Sequence, residues 1–144
     1  MGSKSFWINF LTPCQVEQVG SLLRLTAPFS AKIIRTDCTI LVTAKKGFEF
    51  NGRSGPQILD AVFPQIQYMR CWCLHDILYD CGGRDTDGVQ IVTRLEADDY
   101  LEEALEADGM SGAKAHLVTA ALYIGGRWAW EDGPSGLSRV TIGG

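Results

Sequence analysis

The first half of this chain reads as strands and the second half as helices. Phe6 to Leu11, Ala31 to Thr36 and Cys38 to Thr43 are rich in β-branched and aromatic residues, the composition of half-buried strands. Ala44-Lys45-Lys46-Gly47 predicts a hairpin connection into Phe48-Glu49-Phe50, which alternates apolar and polar. Residues 14–24 are ambiguous, and a short helix stays open there. Asn51-Gly52-Arg53-Ser54-Gly55-Pro56 is a run of turn formers. A helical turn over 57–63, ending before Pro64, follows it.

Beyond that point the apolar spacing becomes helical. One helix is predicted from about Ile66 to Cys81, stopped by Gly82-Gly83. Arg84 to Gln90 is polar and turn-like. Thr93-Arg94-Leu95-Glu96 fits a capping box and starts a second helix that ends near Gly109. Ser111 can cap a third, from Gly112 to about Trp130, with Ala115, Leu117, Val118, Ala121, Leu122 and Ile124 as its apolar content. Asp132 to Gly136 is a loop, and Arg139 to Ile142 a short strand. The predicted fold is α+β: a small N-terminal antiparallel sheet beside about three helices, two of them an antiparallel pair. It forms one domain over residues 1–144, with strands mainly over 1–50, a loop and helices over 51–131, and a tail over 132–144.

The helical faces carry unexpected residues. At 100° per residue, His75 shares its face with Tyr68, Cys71, Trp72, Leu78 and Tyr79. Water is scarce on such a face, so the imidazole needs a partner. On the second helix Asp98 falls between Leu95, Leu101 and Leu105, while Asp99 joins the acidic side with Glu103 and Glu106. Glu102 sits nearer the apolar stripe than a clean partition allows. A histidine in one apolar stripe and an acid in another point to one buried His75–Asp98 pair.

Composition narrows the classes. The chain has 144 residues, 46% apolar and 21% charged, the balance of a globular domain. Net charge is −4 and Lys45-Lys46 is the notable basic pair, which argues against a nucleic-acid surface. No apolar run reaches the roughly 18 residues of a membrane span. Met1 to Phe6 makes a poor signal peptide. The five cysteines, 14, 38, 71, 73 and 81, form no regular framework and read as reduced thiols. On a helix Cys73 projects roughly opposite His75, so Cys71, Cys73, His75 and Cys81 do not converge on a zinc ion. His116 lacks a neighbouring acidic motif and reads as helix surface. Trp128 and Trp130 read as core or rim packing, with a partner or lipid-interface anchor as the alternative.

A neutral imidazole beside a carboxylate is a general-base arrangement: the acid fixes one tautomer, and the other nitrogen takes a proton from water. Asp76 projects about 100° from His75 and could bind a cation beside the base. Ca²⁺ needs six to eight oxygens, and loop carbonyls can supply several. Gly52, Ser54 and Gly55, in the loop to Pro56, are the nearest candidates in the sequence. The unreactive alternatives are a buried hydrogen-bond network that fixes helix register, solvated surface for Asp76 and Asp80, and a plain turn at Gly52 to Gly55. A phosphohydrolase of the His-Asp type needs a further histidine upstream of the pair, and none exists here.

His75-Asp76-Ile77-Leu78-Tyr79 resembles the His-Asp-x-x-Tyr core of phospholipase A2-like proteins, including the phospholipase domain of parvovirus capsid proteins. Ala97-Asp98-Asp99-Tyr100-Leu101 resembles their second motif. The resemblance implies His75 as base, Asp98 as its orienting acid, Tyr79 as a further partner of that acid, Asp76 as a calcium ligand and a glycine-rich loop completing the calcium site. Leu78 stands where secreted enzymes carry a cysteine, and only Cys71 matches a cysteine offset, so their disulfide scaffold is absent. The stretches Gly47 to Pro56, Leu74 to Tyr79 and Arg94 to Ala104 resemble a phage and prophage family, domain-of-unknown-function family thirteen fifty-three, over roughly residues 44–130. That resemblance implies a phage origin more firmly than an activity. The resulting expectation is a phage-encoded, calcium-dependent hydrolase of a phospholipid or other ester in the host envelope. It would be made in the host cytoplasm. The alternative is a non-catalytic virion or assembly component, paired with other virion proteins or with itself, in which the motif clamps two helices.

Overall fold

The computed structural model describes residues 6–20, 22–50, 68–125, 130 and 135–143. The alternating segments pair as the period of two requires. Strands β1 (Phe6–Phe10), β4 (Phe29–Arg35), β5 (Thr39–Ala44) and β7 (Ser138–Gly143) form an antiparallel sheet in the order β1-β4-β5-β7. Phe29, Ala31 and Ile33 of β4, Ile40, Val42 and Ala44 of β5 and Val140 of β7 are buried. The register sets Ile33 opposite Ile40, and Ala31 and Val140 on either side of Val42, so one sheet face is continuously apolar.

The region left ambiguous in the sequence is a hairpin, not a helix. Strands β2 (Val16–Val19) and β3 (Leu22–Leu25) pair with Val19 opposite Leu22, and β6 (Glu49–Phe50) adds to β3 as a second sheet. The register leaves a two-residue connection beginning at Gly20, whose φ of 63° suits a tight hairpin turn. Apolar residues at 16, 19, 22 and 23 mimic a helical spacing because the strand alternation restarts on each side of the turn. The expected single sheet is therefore two, and the C-terminal strand belongs to the larger one.

Helix α1 (Met69–Cys81) lies between layers. Every side chain from Cys71 to Tyr79 is buried. Cys73, Leu74, Ile77 and Leu78 join the cluster built on the sheet, while Cys71 and Trp72 join Leu101, Leu105, Val118 and Leu122 of helices α2 (Arg94–Ala107) and α3 (Gly112–Gly125). This burial takes in the polar His75 and Asp76 together with the apolar residues. Gly82 ends α1 in the left-handed conformation, its N–H donating to Tyr79 O and that of Gly83 to Leu78 O. The α2 capping box forms as read: Thr93 Oγ1 accepts from Glu96 N at 3.1 Å and Glu96 Oε1 from Thr93 N at 2.9 Å.

Two apolar assignments do not hold. Leu95 on α2 and Leu117 on α3 are 46% and 59% exposed. Leu95 lies in the first turn of α2, and burial there goes to Ala97, Asp98 and Leu101 instead. The described start of α1 is Met69, after one turn residue at Tyr68, and the described part of α3 ends at Gly125. The expected turn over 57–63 lies outside the described residues.

The far end of the helix pair is tied by Arg70, whose guanidinium grips Asp108 with two bonds of 2.8 and 2.5 Å and stacks 4.3 Å over the Phe10 ring. Cys71 Sγ donates to the same carboxylate at 3.2 Å. The Arg70 bonds hold the Asp108 carboxyl below its ordinary pKa, against the opposing effect of partial burial. A depressed folded pKa contributes stability that is present above the unfolded value of about 3.9 and lost as pH falls through the folded one. Asp108→Asn should therefore lower stability at pH 7 by no more than about 1 kcal/mol, since water reaches much of Arg70. Urea titrations of both proteins from pH 7 to 2.5 should show the gap closing below about pH 4. A gap that stays constant would show that the charge of Asp108 contributes nothing.

Candidate active site

Residues near the C-terminal end of α1 and the start of α2 build the site. Asp98 Oδ1 lies 2.8 Å from His75 Nε2 and accepts the Tyr79 hydroxyl at 2.7 Å. His75 and Tyr79 are one helical turn apart, so both reach the same oxygen. Arg70 meets Asp108 near one end of the two helices and Tyr79 meets Asp98 near the other. The contacts thus run in opposite order along α1 and α2. The other carboxylate oxygen, Oδ2, lies 3.8 Å from Arg94 Nη1 and has no hydrogen bond among the described residues.

The second imidazole nitrogen faces Asp76. His75 Nδ1 has no hydrogen-bond partner among the described residues and stands 3.8 Å from Asp76 Oδ1, beyond bonding distance. Aromatic rings enclose the imidazole: Tyr79 at 4.3 Å, and Trp72 edge-on at 6.0 Å. Trp130 packs edge-on against Tyr79 at 5.0 Å, which places this tryptophan in the packing around the site. His75 is fully buried, Asp98 is 1% exposed and Asp76 is 8% exposed.

Charge follows from this enclosure. Burial disfavours the imidazolium, yet the adjacent carboxylates of Asp76 and Asp98 outweigh it, so the His75 pKa stands above its ordinary value. Burial, reinforced by the negative charge of Asp98, pushes the Tyr79 phenol upward, so Tyr79 stays a neutral donor.

Asp76 is thus a buried carboxylate beside His75, not the solvated surface residue that the unreactive alternative gives. Of the other metal candidates, Gly52, Ser54 and Gly55 lie outside the described residues. Among the described residues no group of three or more His, Cys, Asp and Glu side chains could hold a metal ion. His116 is exposed on α3 as expected, 3.6 Å from Glu102.

Sequence reading missed two partners. Arg94 is one helical turn before Asp98, an i,i+4 spacing that announces the contact. Asp80 accepts from Ser135 N, Ser135 Oγ and Ser138 Oγ, the last at 2.6 Å, and so ties the end of α1 to the start of β7. No local pattern announces that bond, because its partners lie 55 and 58 residues away.

The molecule is an α+β protein whose helices hold a histidine and an aspartate in one buried pair. The profile of a family described as protein of unknown function (DUF1353) matches residues 23–122, and the chain belongs to that family. The match begins in β3 and so takes in β4 and β5, earlier than the resemblance over roughly 44–130 implies. No curated protein and no solved structure matches the chain. Among the described residues no helix is long and apolar enough to cross a membrane.

Proposed function

We propose that this protein is a phage-encoded hydrolase with a phospholipase A2-like site, acting on a phospholipid or another carboxylic ester of the host envelope. The supporting observation is the asymmetry of the imidazole. His75 Nε2 is anchored on Asp98, which also takes the Tyr79 hydroxyl, while Nδ1 is left without a bond beside Asp76. In that geometry Nδ1 removes a proton from water as its oxygen attacks the ester carbonyl. Asp98 stabilises the imidazolium, and Nδ1 returns the proton to the departing alkoxide. Asp76 brings one carboxylate to a calcium site, short of the six to eight oxygens Ca²⁺ takes. A bound calcium ion would polarise the ester carbonyl and stabilise its oxyanion.

The test is release of fatty acid from mixed phospholipid vesicles across a Ca²⁺ titration, with variant folding checked by circular dichroism. His75→Gln should abolish release. Asp98→Asn should reduce it less, because the imidazole is misoriented but retained. Asp76→Asn should raise the Ca²⁺ requirement or remove activity. The rate should climb with pH through a value above the ordinary histidine pKa of 6.5, since only the neutral imidazole is a base. A wild-type protein inactive on a broad ester panel and silent to Ca²⁺ by calorimetry would sink this reading.

The complete burial of His75 favours a second reading. In it the protein is a non-catalytic virion or assembly component, and the pair holds two helices in register. It predicts that His75 and Asp98 variants lose stability in a wild type that hydrolyses nothing.

A further inference from the structure

A cleft of about 290 Å³ opens where the end of β5, the start of β7 and the turn after α1 meet. Its chemistry comes from Thr43, Lys45, Thr86, Ser138 and Arg139. Thr43 and Arg139 are direct cross-strand partners, and Lys45 N donates to Leu137 O at 2.9 Å, so two paired strands set the spacing of the cations.

Four arginines elsewhere among the described residues face carboxylates. Arg24 pairs with Glu49, Arg35 with Asp37, Arg70 with Asp108, and Arg94 approaches Asp98. Among the described residues no carboxylate lines this cleft, and neither Lys45 nor Arg139 has an ion-pair partner. The Thr43 and Thr86 hydroxyls have no hydrogen bond among the described residues. Ser138 is different: its hydroxyl donates to Asp80, whose carboxylate is also held by Ser135. Two cations and two hydroxyls that lack partners among the described residues face one cleft, in a chain of net charge −4, and call for an anion.

We propose that this cleft binds a phosphate dianion, as inorganic phosphate or as a phosphomonoester. The Arg139 fork suits two phosphate oxygens, Lys45 supplies a second point charge, and the threonine hydroxyls donate to the remaining oxygens. The two positive charges match the dianion. The volume exceeds that of a bare phosphate and leaves room for a small organic group. Two cations do not make the basic stripe that a nucleic acid needs. This site is separate from His75, and its test does not depend on hydrolysis.

The experiment is calorimetry on the full chain at constant ionic strength, with inorganic phosphate and glycerol 3-phosphate as probes. Sedimentation with phosphatidylcholine vesicles, with and without phosphatidic acid, runs alongside. Saturable binding at one site is expected, weakened about tenfold or more by Lys45→Ala and by Arg139→Ala, since each removes a charged hydrogen-bond donor. Arg139→Lys should fall between, keeping the charge but losing the fork. Lys114→Ala, at an exposed position on α3, should bind as wild type does. Soluble probes bound without vesicle binding identify free phosphate or a small phosphomonoester as the ligand. Phosphatidic-acid-dependent vesicle binding lost in both alanine variants identifies a lipid headgroup. Affinity weaker than roughly 1 mM for every soluble probe, with no such vesicle binding, overturns the proposal. So does binding that survives unchanged in both alanine variants.

Discussion

Asp98→Ala should lower the stability of the fold by about 3–5 kcal/mol, the cost of breaking a buried charged pair from one side. The truncation removes one partner and leaves the others in place. His75 Nε2 and the Tyr79 hydroxyl both lose their acceptor in a buried region, and Arg94 loses the carboxylate one turn away. Against a total of roughly 5–15 kcal/mol for a domain, that loss is a large fraction. Asp98→Asn should cost less, because the amide oxygen still accepts from Tyr79. The effect should also depend on pH. The folded pKa of His75 is raised, so its contribution is fully present below the unfolded value of about 6.5 and is lost as pH rises through the folded one. The gap between wild type and Asp98→Ala should therefore narrow in alkaline solution. Urea denaturation at several pH values measures this through the midpoint at constant slope. An unchanged midpoint at pH 6 would mean that the pair carries no stability, whatever its geometry.

Gly83→Ala should be nearly as severe, for a steric reason. A Cβ at this position would lie 1.9 Å from Val92 O and 2.8 Å from Val92 C, both backbone atoms that cannot swing aside. Its φ of 67° adds the strain of a left-handed residue. The close approach is structural, because Gly83 O accepts from Ile91 N at 2.8 Å and Val92 N at 3.0 Å. Gln90 Nε2 reinforces the loop by donating to Gly82 O and Val92 O. Relieving the clash means parting these bonds and moving the entry to α2, which carries Asp98. A loss above about 3 kcal/mol, or failure to fold, is expected. Gly88→Ala is the control. It has a φ of 82° but nothing within 4 Å of its added Cβ, so it should lose only the conformational part, about 1–2 kcal/mol. Equal midpoints for the two variants would contradict the steric argument.

Local chemistry made much of this legible. The capping box at Thr93 and Glu96 and the Gly82 stop act within one turn, so their residues announce them. The strands of the larger sheet declare themselves through alternation and β-branching. Gly20-Ser21 between two apolar runs was a hairpin signal too, masked because the flanking apolar residues also fit a helical period. The pair of motif residues is readable from angular position, since a polar group in an apolar stripe needs a partner. Exposure of Leu95 was not readable, because the stripe rule cannot tell which edge of a stripe a neighbouring helix covers. The burial of Asp76 and the anchoring role of Asp80 depend on what packs against α1 from distant parts of the chain. No spacing within α1 encodes that.

The place of β7 beside β5 has a consequence for how the molecule comes to exist during synthesis. The larger sheet is assembled from β1, β4 and β5, early in the chain, and from a strand that leaves the ribosome about 94 residues after β5, a span read from Ala44 to Ser138. Until then one edge of β5 has no neighbour, and unpaired edges invite pairing with other chains. The pairing of β5 with β7 is also a long-range contact, and such contacts slow folding because a large loop must close before they form. Asp80 accepts both Ser135 and Ser138, so the end of α1 is where the late strand is caught. A nascent chain halted before residue 138 would carry the His75 helix over an unfinished sheet, exposed to chaperones and proteases at the stage when it is most apolar.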